Sequence, residues 1–251
     1  GQYIPNPNIL ESFSENYNFS RNGDTYSSTR NVSMSLKQKG AENFLDNAKI
    51  LLNERIIRGD SIFFDDEMKY ASATKNISIF DRNEKLQILG EFAEVFEKKD
   101  SAIVTKNPVA INTSEIDSLF ISADTLYSVG DRENRIIKGL NNVKFFKKNM
   151  SGKSDFILIN ENRGLTRLIR KVLEKKELQI LSQEQINMLN PIIWDGNSQI
   201  SGDEIILKEN NENNKLDSLI MEYMSQQWNI VDTLETEENE ITPTENKSNI
   251  D

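Results

Sequence analysis

From about residue 23 to residue 160, short apolar runs alternate with polar turns such as Asp65-Asp66-Glu67, Glu97-Lys98-Lys99-Asp100 and Gly130-Asp131-Arg132-Glu133-Asn134, which are strand-and-turn signals. Within the runs, apolar side chains recur at every second position, the period that places them on one face of a strand. One set follows a small residue and an acid: Gly59-Asp60, Gly90-Glu91, Ala123-Asp124 and Gly202-Asp203. Counted from the acid, Ile62 and Phe64, Ala93 and Val95, Leu126, and Ile205 and Leu207 share a face. A complementary set reads Ile77 and Ile79, Val109 and Ile111, Val143 and Phe145, and Ile192 and Trp194. The first three acids stand at 60, 91 and 124, a spacing typical of repeat architectures. The pattern predicts an all-β chain of stacked antiparallel strand repeats, with the acid at the opening of each strand. A repeat of this kind builds an elongated surface or groove, which favours binding over catalysis.

The period breaks between 165 and 189. Leu165, Leu168, Ile169, Val172 and Leu173 have the spacing of an amphipathic helix, and Ser182 to Gln185 fits a capping box for a second, shorter one. The chain therefore divides into an extended arm or leader over 1–22, a β-repeat unit over 23–231 with a helical insertion at 165–189, and a tail over 232–251. That tail holds Asp232, Glu235, Glu237, Glu238, Glu240, Glu245 and Asp251 against Lys247, and its composition reads as disordered.

Composition narrows the chemistry. There is no histidine and no cysteine, which removes the usual neutral-pH base, thiol nucleophiles, disulfides and the common zinc ligands. The formal charge of -10 argues against nucleic acid, since phosphate binding needs clustered Lys and Arg. No apolar run is long enough for a transmembrane segment. The opening Gly1-Gln2-Tyr3-Ile4-Pro5 lacks the charged and apolar regions of a signal peptide, so a secreted precursor would already be processed or truncated here. Gly-Asp pairs occur in calcium-binding β-rolls, but those repeat every nine residues, so no metal or other cofactor is expected. The acids are expected instead to accept backbone N–H groups in turns.

Ser122-Ala123-Asp124-Thr125-Leu126-Tyr127, Asn142-Val143, Ser151-Gly152-Lys153-Ser154-Asp155 and the block from Asn190-Pro191-Ile192-Ile193-Trp194 to Gly202-Asp203 resemble the OstA-like proteins of Bacteroidota, a family related to the lipopolysaccharide-transport protein LptA. The resemblance spans roughly Gly40 to Leu219. It implies an open β-jellyroll, or β-taco, whose two facing sheets hold acyl chains, and a non-enzymatic periplasmic role carrying lipopolysaccharide or a related amphiphile towards the outer membrane. The lipid-facing residues it implies are Ile62, Phe64, Ile77, Ile79, Val95, Val109, Ile111, Leu126, Val143, Phe145, Ile192, Trp194, Ile205 and Leu207. The implied partners are other jellyroll-domain transport proteins, joined by strand addition and including an outer-membrane translocon. Any association with the outer or inner membrane would run through such partners. On this chain the edge near Asn31 to Met34 is the expected site of addition, and the acidic tail discourages it at the other end. Two features depart from the family pattern: the helical insertion, and the acidic tail in place of further repeats, which leaves a fragment and a shortened paralogue as alternatives. Periodicity alone favours a β-repeat scaffold with a dry core in a cell-envelope complex over a lipid groove, an order that the resemblance reverses, and a third class is a carbohydrate-active enzyme on a β-solenoid.

Overall fold

The computed structural model describes residues 9–12, 17–21, 24–28, 30–35, 41–52, 55–81, 85–113, 118–130, 134–210 and 215–222. The chain is all-β apart from short helical segments. Strands β1 (Ile9–Ser12), β2 (Tyr17–Arg21), β3 (Asp24–Ser28) and β4 (Arg30–Ser35) precede four long ones, β5 (Ala41–Leu52), β6 (Arg55–Asp65), β7 (Tyr70–Asp81) and β8 (Leu86–Phe96). There follow β9 (Ser101–Thr105), β10 (Val109–Thr113), β11 (Ser118–Ser122), β12 (Thr125–Val129), β13 (Ile136–Lys147), β14 (Met150–Asn160) and β15 (Leu165–Ile169). After helices α1 (Lys175–Ile180) and α2 (Gln183–Met188) come β16 (Ile192–Asp195), β17 (Ser198–Ser201), β18 (Glu204–Asn210) and β19 (Lys215–Glu222).

Every pairing is antiparallel, and the strands form one sheet folded lengthwise into two facing leaves. Each long strand turns a corner at its middle and so spans both leaves, one half in leaf A and the other in leaf B. The short strands are halves of the same unit: β9 and β10 both pair with β8, β11 and β12 with β13, and β15 and β16 with β14. Leaf A therefore contains the 55–58, 77–81, 86–90, 109–113 and 143–147 segments, and leaf B the 61–65, 70–74, 92–96, 101–105 and 136–140 segments.

The corners explain the Gly-Asp repeat. In β7 and β13, Lys75-Asn76 and Asn141-Asn142 take positive φ and stand opposite a shorter stretch of the neighbouring strand, so the register slips by one residue. Lys106-Asn107, between β9 and β10, takes the same conformation, and Asn47 marks the corner of β5. An extra residue on one strand bends it, and Asn tolerates the left-handed region better than most residues. Asp60 and Glu91 thus lie at mid-strand corners rather than at strand openings, whereas Asp124 and Asp203 stand at the corner immediately before β12 and β18, as expected. Two of the carboxylates bind the next strand's corner: Asn76 Nδ2 donates to Asp60 Oδ1 at 3.0 Å, and Asn142 Nδ2 to Asp124 Oδ2 at 2.9 Å. The small residue before the acid lets strands approach, since a Cβ on Gly90 would lie 2.5 Å from Val104 Cγ1.

Three expectations change. Leu165–Ile169 is strand β15, because its alternate residue Leu168 packs into the core while β14 and β18 pair on either side. Among the described residues the α-helices lie within 175–188, where Ser182 Oγ accepts from Gln185 N as the capping box predicts. Residues 9–12 and 17–21, expected in an arm, are strands of the sheet, so Asn31 to Met34 lies between β1 and β5 and is not an edge. The acidic tail lies outside the described residues.

Replacing Asn142 with Val should lower the free energy of unfolding by about 1–2 kcal/mol through left-handed strain. Asn142→Gly should cost less. Urea unfolding monitored by circular dichroism checks the order.

Candidate functional site

The space between the leaves is lined by one continuous aliphatic cluster. Ile62, Phe64, Ile77, Ile79, Val95, Leu126, Val143, Phe145, Ile205 and Leu207 all point into it and are buried, as the alternation predicts. Val109, Ile111, Ile192 and Trp194 do not. They face outwards, and Pro108, Ala110, Pro191 and Ile193 take the inward positions. The reason is a one-residue offset in the repeat. Asn107 and Asn190 occupy the place of corner residues Asn76 and Asn142, so Pro108 and Pro191 match Ile77 and Val143. The motif that identifies the inward residue is the asparagine before it.

Small residues alternate with the large ones and let neighbours pack closely: Ala71, Ala73, Ala93, Ala102 and Ala110 line the interior, and a Cβ on Gly139 would lie 2.8 Å from Ile157 Cγ2. One polar atom is out of place there: the buried Ser128 Oγ has no hydrogen-bond partner among the described residues.

Opposite the corner, the free margins of the two leaves meet at a mouth closed by side chains. Arg55, at the start of β6, and Asp81, at the end of β7, lie on the margin of leaf A. Asp100, before β9, and Arg135, before β13, lie on that of leaf B. Arg55 Nη2 donates to Asp100 Oδ1 at 2.6 Å and Arg135 Nη1 to Asp81 Oδ2 at 3.1 Å, both across the mouth. The contacts along each margin, Arg55 to Asp81 at 3.9 Å in leaf A and Arg135 to Asp100 at 3.8 Å in leaf B, complete an alternating square of charge. Farther along, Lys147 at the end of β13 reaches Glu209 in β18 at 2.6 Å, a second clip between leaves. Sequence reasoning singled out none of these residues, since each pair is distant along the chain.

A second concavity lies outside the corner. It is a cleft of about 480 Å³ between the corner segments and the end of α2, lined by Asn107, Asp124, Lys144, Lys153, Met188 and Asn190 among others. Asp124 is engaged by Asn142, and Asp155 accepts from Lys171 N at 2.8 Å. No helix among the described residues is long and apolar enough to cross a membrane.

The sequence matches no family model and no curated protein. Among solved structures, it is similar to the crystal structure of LptH, the LptA-homologous periplasmic component of the conserved lipopolysaccharide transport device from Pseudomonas aeruginosa. The identity is 11% and the TM-score 0.43, over 48% of this chain and 85% of that one. At those values the likeness carries no argument about function.

Arg135→Ala should destabilise the fold by roughly 3 kcal/mol, the low end for orphaning a buried charge, because Arg55 still stands near Asp81. Thermal unfolding of Arg135→Ala, beside the more exposed pair's Lys147→Ala as a milder case, measures the clip.

Proposed function

We propose that this chain is a lipid-binding protein of the lipopolysaccharide-transport type, which holds acyl chains between its two leaves and works in the periplasm as one element of a path to the outer membrane. One observation carries the reading. The aliphatic interior runs from Phe44 on β5 to Leu207 on β18, and on one long side its leaves are joined by ion pairs between side chains instead of by backbone. Burying an acyl chain contributes about 0.8 kcal/mol per methylene, so ten carbons supply roughly 8 kcal/mol without any specific polar contact. Exchange of side-chain contacts for acyl contacts keeps apolar surface against apolar surface. Ser128, one residue from the leaf B margin, offers its unpartnered hydroxyl to the ester or amide at the head of such a chain. The resemblance of the Asn-Pro-Ile-Ile-Trp block to OstA-like proteins supports the same reading.

Partners in this scheme are like domains that add strands at the sheet's ends. Among the described strands, β17 pairs only with β16 and β19 only with β18, so each presents an open edge.

A dry scaffold is the second reading, and the near-complete burial of Ile50, Ile57, Val104 and Ile137 favours it. Diazirine side chains introduced in place of Ile121 and Ile205, which face inwards, and of Tyr127 and Ile206, which face outwards on leaf B, separate the two. Illumination of protein purified without detergent is expected to attach lipid at the inward pair alone, read as a mass increase. Attachment at neither pair, with the fold intact, would leave the scaffold.

A further inference from the structure

The outer face of leaf A divides into two bands that run across the strands. The band nearer the corner passes in register from Lys49 through Arg58, Ser78, Leu89, Val109, Ser122, Lys144, Lys153 and Ile192 to Ser201. It holds four cations and no acid, in a chain whose formal charge is -10. Lys144 and Lys153 are directly opposed on neighbouring strands, an arrangement that is unfavourable unless something anionic shares it. Neither makes an ion pair among the described residues, and both line the cleft together with Asp124, Asp155 and the exposed Met188.

The second band lies two residues nearer the mouth and has no charge at all between Leu51 and Gln199. Its members include Ile111, Phe120, Phe146 and Trp194, with Phe120 40%, Phe146 50% and Trp194 36% exposed. The rings of Phe120 and Phe146 are 6.5 Å apart, and Trp194 follows two strands on, its Nε1 donating to Gln199 Oε1 at 2.9 Å. Neighbouring strands are about 4.8 Å apart, so the aromatic row spans roughly 14 Å of flat surface.

We propose that this face docks on a lipid bilayer containing anionic lipid. An aromatic band beside a cationic band, offset by about 7 Å along the strands, matches the layering of a membrane interface, where rings enter at headgroup level and lysines meet the phosphates. Charge complementarity selects an anionic surface, and the uncharged band selects one that also admits apolar side chains. The apolar band borders the mouth, so docking would bring the mouth to the bilayer. The surface itself stands on the two bands and does not depend on lipid occupying the interior.

Sedimentation of the intact chain with phosphatidylcholine vesicles, with and without phosphatidylglycerol, tests the proposal. Binding is expected only to the anionic vesicles and is expected to weaken with added salt. Lys144→Glu with Lys153→Glu should lower it about tenfold or more, and Phe146→Ser with Trp194→Ser should lower it without removing the salt dependence. Lys138→Glu with Lys208→Glu, the same charge change on leaf B, should leave most of it. Equal loss from the leaf B pair would reduce the effect to net charge and overturn the assignment. So would absence of vesicle binding, including the case in which this face instead captures a protein.

Discussion

Each strand has to leave one leaf and enter the other at the same level as its neighbours. That constraint governs the rest of the structure. A strand that turned one residue early would send every later side chain to the opposite face. The left-handed pairs at Lys75-Asn76, Lys106-Asn107 and Asn141-Asn142 absorb one residue each, and Asp60 and Asp124 tie two of those asparagines to the strand before. The interior is continuous because the corners are aligned.

The two long sides of the interior are held by different forces. At the corner the backbone itself crosses from leaf to leaf; at the mouth, Arg55, Asp81, Asp100 and Arg135 close the gap. Ion pairs of this kind contribute modestly once desolvation is counted, whereas the roughly 8 kcal/mol from ten buried methylenes is larger. Under the lipid-binding role proposed above, that balance would let a lipid separate the margins while the corner keeps the register. A mouth closed by a strand ladder would have no such asymmetry.

The all-β architecture was legible because period-two alternation survives in β6, β7, β13 and β18. The facing of Ile77, Val143 and Ile205 followed from it. Alternation misplaces Val109 and Ile192 because the residue after the corner asparagine is the inward one, and in these two units that residue is Pro108 or Pro191. Leu165 to Leu173 failed for another reason: five apolar residues satisfy helical spacing, yet the partners that hold β15 extended, β14 and β18, come from elsewhere in the chain. The mouth was beyond local reading altogether. Arg55 and Asp100 are 45 residues apart and Arg135 and Asp81 are 54 apart, so their meeting depends on how the leaves fold together.

The helices enter the chain at a corner. Residues 170–191 leave the sheet after Ile169 and return at Ile192, and both flanking segments remain paired with β14, as though nothing intervened. The corner line is thus a splice line. A chain with this architecture can acquire or exchange whole segments there, and with them new surfaces, while its ladder of strands and the lining of its interior are inherited unchanged.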